Sequence, residues 1–503
     1  MIPDSATARR WFLWLLAVTT LVRLALAAGL PITGDEAYFV LWGRHPALGY
    51  YDHPPMVGWW LAAMLQVSDA LWWLRLPAIL VTVLVGAGLV WMLREIDARL
   101  AWLTGALFLA SPLPLLHFVI TTDTPVVLFG FLSAACFWRG VVRERLPWFL
   151  LAGLFLGLGL LSKYFAGLLA LAYVAWWFID RRKGWLLLGL LLTGLVSAAL
   201  FALNLWWNWQ HCWDNFLFNF LNRNSGSVPW YTPLLYLLTL TYVLTPPVVW
   251  YALRRRAAQP VGPELPRRAL AVLAGVPLAL LGLLSLGKVV GIHWLLGFHA
   301  LVLAWLALAR GLPAVWGALR FNLWFSLLHV LLISAVVVMA RLPEATLPQD
   351  PALRHHIVDA LHGQRVWQAV APLVDDRALF MHSYAAAAEM SYHAGRHVGV
   401  FGEGSYHARE DDRLTDFRRL DGRDFLIILN RHHDAAEYAP FFERVRLLRV
   451  PVLGTAFEIV LGDGFKYEAY RERVLKRINE RFYRIPPAWP TGHCGFKERY
   501  RLP

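Results

Sequence analysis

Residues 185–205 read WLLLGLLLTGLVSAALFALNL, twenty-one positions without a charged side chain, entered through Arg181-Arg182-Lys183. A helix of that length rises about 30 Å, the thickness of a bilayer's hydrocarbon core. The stretch therefore reads as a membrane span. Outward from it, the same test gives spans near 11–30, 76–93, 100–117, 124–138, 148–161, 164–179, 232–253, 269–286, 294–309 and 321–340, about eleven in all. Residues 56–74 are apolar but interrupted by Gln66, Ser68 and Asp69, which suits a helix lying at the membrane surface. The N-terminal run also has features of a secretory signal. Arg23 inside it, and the many spans beyond it, favour an uncleaved first helix.

Composition agrees. Of 503 residues, 58% are hydrophobic and 16% charged, more apolar surface than a soluble core hides. The net charge of +13 does not mark a nucleic-acid binder, because Lys and Arg fall in short clusters between apolar runs. With the N-terminus in the cytoplasm, seventeen Lys and Arg lie in inner segments and five in outer ones. The positive-inside rule then puts residues beyond the last span outside, at the periplasmic face of a bacterial inner membrane. The 26 Trp suit membrane interfaces. Three Cys exclude a disulfide scaffold. Cys212 and Cys494 both fall on the outer side, where a bridge can form, but two thiols do not establish one.

From Pro343 the pattern changes. A helix is expected near 355–374, a strand at 378–382, a helix at 385–394, and strands near 398–401 and 424–429. A helix near 435–445, strands near 446–452 and 456–461, and an amphipathic helix at 467–482 follow. The chain thus divides into a polytopic helical domain, 1–342, whose outer loops carry the chemistry, and a soluble outer α/β domain, 343–503. The scattered histidines of the tail read as ordinary surface.

Acids beside a membrane are costly unless they are paired, metal-bound or functional. The outer face gathers Asp35 and Glu36, His53, Asp123 with His117, Lys163, Asn208 and His211, and Lys288 with His293. A sugar transfer needs a carboxylate to take the acceptor's proton and cations to hold a departing phosphate. Asp35 or Glu36 suits the first task. Lys288, His293, His53 and Arg23 suit the second, and Arg23 needs a partner because it lies within a span. Lys163 equally suits an interface position, and Asp35 equally suits an N-cap for a helix beginning at Glu36. Glu36, Asp123, His53 and His117 form a mixed set that suits a divalent cation such as zinc or manganese, although no spacing demands a cofactor.

GDEAYFVLWGRHPALGYYDHPPMVGWW at 34–60 resembles the first periplasmic loop of the polytopic GT-C glycosyltransferases. The branch is that of the aminoarabinose transferase to lipid A and the protein O-mannosyltransferases. TTDTPVVLF at 121–129, GLGLLSKYFAGLL at 157–169, NLWWNWQHCW at 204–213 and GKVVGIHWLLGFHALVLAW at 287–305 follow in the family's order. The resemblance implies a membrane enzyme of the GT-C type, fed by a polyprenyl-phosphate sugar and inverting the anomeric centre. It implies Asp35 as base, Glu36 as its partner, and Asp123 as the acid of the second loop. It also implies donor-phosphate contacts from Lys288 and His293, and Lys163 is a further candidate for the phosphate. His53 stands where the aminoarabinose transferases carry Lys. The acceptor implied is lipid A, lipopolysaccharide core, another glycan or a protein. A lipid-linked sugar transporter is the competing class, but no matching halves are present.

Overall fold

The computed structural model describes residues 2–224, 229–254, 260–429, 434–490 and 492–503. All eleven predicted apolar segments are helical. Six helices are long and apolar enough to cross a bilayer, or seven counting one bent pair, among the described residues. A chain with that many is a multi-pass membrane protein. The segments expected at 100–117, 148–161 and 164–179 form shorter helices: Ala98–Leu109 followed by Pro112–Leu116, Pro147–Leu160, and Tyr164–Ile179. A 14-residue helix rises only about 20 Å.

Three boundaries differ from the sequence reading. The span expected at 232–253 is two helices, Thr232–Leu244 and Pro246–Leu253, bent by 102°. Thr245 holds φ 71° between them. Pro246 and Pro247 lack amide protons, and a residue before proline avoids the helical region. The loop expected between 309 and 321 is instead a break at Gly311 (φ 72°) within Leu296–Met339. Pro313 then sits in the first turn of the second half, where its missing donor costs nothing. Leu71–Leu74 runs on into Leu76–Leu93 as part of one 23-residue candidate span, rather than belonging to a surface helix.

The chain packs as two compact units. The first comprises 1–29, 67–204 and 226–334. Its helices meet through small residues. A Cβ at Gly153 would fall 2.6 Å from the Thr193 carbonyl oxygen, and one at Gly157 2.7 Å from Leu200. This i, i+4 glycine pair lets Pro147–Leu160 lie against Lys183–Gln210 at backbone distance. Thr193 Oγ1 then reaches the Phe149 carbonyl at 3.0 Å.

The second unit comprises 30–66, 205–225 and 335–503. Its five strands are β1 (Ala378–Met381), β2 (Gly399–Val400), β3 (Phe425–Leu429), β4 (Phe442–Val452) and β5 (Thr455–Phe465). They form one sheet in the order β2-β1-β3-β5-β4, with β1 parallel to β2 and β3 and the remaining pairs antiparallel. All of β3 is buried, as expected for a strand covered on both faces. Phe425 and Ile427 face an aromatic cluster with Phe380, Phe401 and Tyr470, while Leu426 and Ile428 face Val358, Val366 and Met390. The helix expected near 435–445 is two 3-10 turns, Ala435–Glu437 and Ala439–Phe441, leading into β4. Pro440 interrupts any longer helix there. His432 and His433 lie outside the described residues.

Within this unit, helix Gly34–Arg44 packs on Tyr384–Ala394 and on Met56–Leu65. Gly34 and Gly43 make both approaches feasible: a Cβ on either would come 2.7 Å from the Cβ of Ala385 or Leu61. The segment read as an outer loop is therefore a helical hairpin built into the α/β unit.

Candidate active site

Thr33 starts helix Gly34–Arg44 with a capping box. Its hydroxyl accepts from the Glu36 amide at 3.3 Å, and Glu36 Oε2 accepts from the Thr33 amide at 3.2 Å. Glu36 is fully buried, so its carboxylate serves the helix start. The cap is Thr33, not Asp35. Asp35, one position earlier and turned about 100° around the helix, is exposed. Its Oδ1 accepts from the Tyr384 hydroxyl at 3.0 Å. Burial raises the Tyr384 hydroxyl above the ordinary tyrosine range, and Asp35 adds to the shift, so Tyr384 remains a donor at neutral pH.

Tyr384 belongs to a ring network around the DHPP turn. Its ring lies 5.0 Å from Tyr38 and 4.9 Å from His407. His407 Nδ1 is 2.7 Å from Asp52 Oδ2, and the Tyr38 hydroxyl donates to Asp52 Oδ1 at 2.9 Å. Residues 50–53 are held from two further sides. Glu410 accepts the Tyr51 amide at 2.8 Å and pairs with Arg413 at 2.9 Å. The Asn215 side-chain Nδ2 donates to the carbonyls of Tyr50, Tyr51 (3.0 Å) and His53 (3.3 Å). Asn219 reaches the Asp52 carbonyl at 3.4 Å, and Asn222 the Tyr51 hydroxyl at 2.7 Å. His53 lies between the rings of Trp42 and Phe218, at 6.0 and 6.1 Å.

Burial pushes the Glu410 carboxyl up to about 7 and that of Asp412 to about 6, and it raises Asp214 well above the carboxylate range. Asp412 accepts from the Tyr483 hydroxyl at 2.9 Å. The sequence reading did not single out Tyr38, Asp52, Tyr384, Glu410 or Arg413, and it placed His407 among surface histidines. The i, i+4, i+7 spacing of Asn215, Asn219 and Asn222 was a usable signal for one polar helical face.

The first unit holds Asp123, Lys163, Lys288, His293 and Arg23, whereas Asn208 and His211 belong to the second. Asp123 opens helix Asp123–Arg143 and is bound through both oxygens by Lys163 Nζ, at 2.8 and 2.9 Å. Both side chains are nearly buried, so the pair is more than a snorkelling contact. Asp123 and His293 line one cleft, walled by Val126, Phe165, Leu169, Trp294 and Phe298. Lys288 is half-buried in the turn before Ile292–Leu295. Arg23 is fully buried and donates to the Pro114 carbonyl (3.2 Å) and to Thr19 (3.3 Å), so its partner is backbone rather than an outer-loop acid. Asn208 and His211 act locally: Asn208 accepts from the Asn215 amide, and His211 contacts the Trp207 carbonyl. Among the described residues no three His, Cys, Asp or Glu side chains are grouped to hold a metal ion, so the set Glu36, Asp123 and His53 gains no support.

A helical membrane bundle with an α/β sheet in the C-terminal region defines the class: this is the GT-C fold of polytopic glycosyltransferases. It is shared with ArnT from Cupriavidus metallidurans, at TM-score 0.59 in the apo state (16% identity, 91% of this chain, 98% of that one). The same protein bound to undecaprenyl phosphate gives TM-score 0.60 (17% identity, 90% and 98%). Residues 52–207 match the family model described as dolichyl-phosphate-mannose-protein mannosyltransferase. The lipid A galacturonosyltransferase RgtD of Rhizobium johnstonii is 32% identical over 190 residues, which are 35% of this chain and 38% of that relative's length.

Proposed function

We propose that this protein is an inverting glycosyltransferase. It moves a monosaccharide from a polyprenyl phosphate, of the undecaprenyl type, to lipid A, lipopolysaccharide core or another outer-face glycan. The observation that carries the reading is Asp35: an exposed carboxylate gripped by Tyr384, beside a turn held rigid by Asp52, His407, Glu410 and Asn215. Asp35 takes the acceptor's hydroxyl proton while that oxygen attacks the anomeric carbon. The bond from that carbon to the phosphate oxygen breaks, and polyprenyl phosphate leaves. Lys288, His293, His53 and Lys163 are the groups we assign to the phosphate, whose negative charge grows as it departs. Asp123 holds Lys163 in place. Residues 1–342 carry the transfer and 343–503 form its periplasmic domain. RgtD's lipid A acceptor and the undecaprenyl phosphate bound to ArnT support this choice of substrates. The family model's description favours one second reading, transfer to a protein hydroxyl.

The test uses the full chain in lipid nanodiscs, a panel of undecaprenyl-phosphate sugars, and lipid A or a Ser/Thr-rich peptide as acceptor. Mass spectrometry should show acceptor gaining one sugar residue, and Asp35→Asn should abolish that gain while leaving the protein folded. Full activity in Asp35→Asn removes the base. Movement of intact lipid-linked sugar across proteoliposomes without transfer makes the protein a transporter.

A further inference from the structure

In the second unit the imidazole of His407 is held at one nitrogen and open at the other. Its Nδ1 lies 2.7 Å from Asp52 Oδ2. A carboxylate oxygen accepts, so Nδ1 carries a proton, and in the neutral ring Nε2 presents a lone pair. Among the described residues nothing bonds to Nε2, and the side chain keeps 28% of its surface exposed. Asp52 behind it is buried. A buried carboxylate that aims an accessible imidazole is the arrangement by which proteins prepare a ring nitrogen to meet a substrate. Holding the turn does not account for the ring. The Tyr38 hydroxyl lies 2.9 Å from both Asp52 Oδ1 and the His407 carbonyl, so the backbone at 407 and the Asp52 carboxylate are tied without the imidazole. An asparagine at 407 would offer Asp52 the same kind of donor.

The surroundings of the imidazole set the class of ligand. Tyr384 and Tyr406 flank it, with ring centres 4.9 and 4.6 Å away, and Phe218 lies at 5.2 Å. Both tyrosines are partly exposed. Tyr384 also donates to the exposed Asp35 at 3.0 Å, so a single tyrosine side chain separates that carboxylate from the imidazole. Neither Asp35 nor Asp52 is ion-paired to Lys or Arg among the described residues, so the local charge favours an uncharged ligand group. An uncharged donor that also packs on aromatic rings describes a sugar, whose hydroxyls donate and whose C–H faces lie against tyrosine.

We propose that His407 touches the sugar: its Nε2 accepts a hydrogen bond from a saccharide hydroxyl, the sugar's C–H face packs on Tyr384 and Tyr406, and Asp52 positions the imidazole. The choice of a saccharide rests on the transferase reading above, whereas the aimed and open imidazole does not. On that reading a monosaccharide spans the Tyr384 side chain, with its reacting end at Asp35 and a hydroxyl at Nε2. The same chemistry suits the acceptor sugar, whose hydroxyl gives Asp35 its proton, and the donor sugar, whose anomeric carbon is attacked there. His407 is then a specificity-determining contact, and kinetics assign it to one sugar or the other.

The experiment uses the full chain in lipid nanodiscs, with undecaprenyl-phosphate sugars as donors and lipid A as acceptor. His407→Asn keeps a donor for Asp52 where Nδ1 stood and removes Nε2, whereas His407→Gln places an amide oxygen near the Nε2 position. A hydrogen bond corresponds to about a three- to tenfold change in affinity. His407→Asn should raise KM for at least one substrate by that factor at the wild-type melting temperature, and His407→Gln should recover part of it. A rise for lipid A alone assigns Nε2 to the acceptor sugar, and a rise for the donor alone to the donor sugar. Wild-type KM values for both substrates in His407→Asn overturn the proposal and leave the imidazole to the turn. Equal losses in His407→Asn and His407→Gln overturn the assignment to Nε2. Where His407→Asn fails to fold, His407→Phe keeps the ring without either nitrogen, and wild-type KM values in it are equally fatal. A folded wild type that transfers no sugar removes the transferase reading instead. Calorimetry with the same donors and lipid A then reads the site directly: binding weakened in His407→Asn keeps this inference, and unchanged binding ends it.

Discussion

Asp35 and Glu36 are adjacent in sequence and opposite in role. Glu36 turns back to close the capping box with Thr33, while Asp35 faces Tyr384. The acidic pair was legible as important. Which acid was free was also written there, because Thr33-x-x-Glu36 is the capping-box signature and assigns Glu36 to the backbone. Glu36→Gln keeps the box, since glutamine serves the same position. It should retain most activity, whereas Glu36→Ala should lower stability by about 1 kcal/mol in thermal unfolding. Tyr384 could not be found from the sequence, because 349 residues separate it from Asp35 and no periodicity links them. Tyr384→Phe removes a donor to a charged carboxylate while leaving the ring packing in place. It should reduce kcat about tenfold with little change in KM for the donor. A change confined to KM would assign Tyr384 to substrate binding instead.

At the scale of elements, periodicity succeeded where packing obeys it and failed where the backbone is interrupted. The helix over 467–482 and the hairpin strands appear near their expected places, because their apolar faces pack on the sheet. The bend at Thr245 and the break at Gly311 depend on one or two residues inside long apolar runs, which a hydropathy window averages away. The charged run Arg409-Glu410-Asp411-Asp412-Arg413 is largely buried, and Glu410 within it is held against the 50–53 turn. Its placement has a pH consequence. Burial raises Glu410 from 4.5 to about 7, so the folded state keeps a proton that the unfolded chain releases. Stability should therefore fall as pH rises from about 4.5 to about 7, by at most about 3 kcal/mol, and Glu410→Gln should flatten that slope. Melting temperatures across the pH range measure both. Asn215 tests the other side of the turn. Asn215→Ala strips the side-chain donor from the carbonyls of Tyr50, Tyr51 and His53 and should cost about 1–3 kcal/mol. Faster hydrogen exchange across residues 49–55 would show the loosening, and unchanged protection there would refute the clamp.

For the whole molecule, composition shows that the chain enters a membrane, but not that the second unit is assembled from three separated segments. Such assembly rests on contacts between residues hundreds of positions apart, which leave no local pattern. The clearest case is Cys212 with Cys494, 282 residues apart, which form a disulfide. Two lone thiols did not establish that bond from sequence, because pairing depends on proximity that only the fold supplies. The bridge joins the 205–225 segment to the C-terminal end of the chain. On either side of it the backbones already bond: the Cys212 amide to the His493 carbonyl at 2.8 Å, and the His493 amide to the Trp209 carbonyl at 3.1 Å. That junction stands next to Asn215 and Asn219, so it anchors the segment that grips the 50–53 turn. Removing a native bridge that closes so long a loop typically costs about 2–5 kcal/mol, because the unfolded chain regains its freedom. Cys494→Ser, or reduction of the wild type, should lower the melting temperature of the second unit and make residues 486–503 sensitive to limited proteolysis. The first unit, whose Cys136 is a buried free thiol, should keep its own transition. Because the Asn215 contacts lie downstream of the bridge, reduction should also speed exchange across residues 49–55. If reduction leaves the melting temperature and that exchange unchanged, the backbone bonds around His493 hold the junction without the bridge, and the disulfide has no part in positioning the turn.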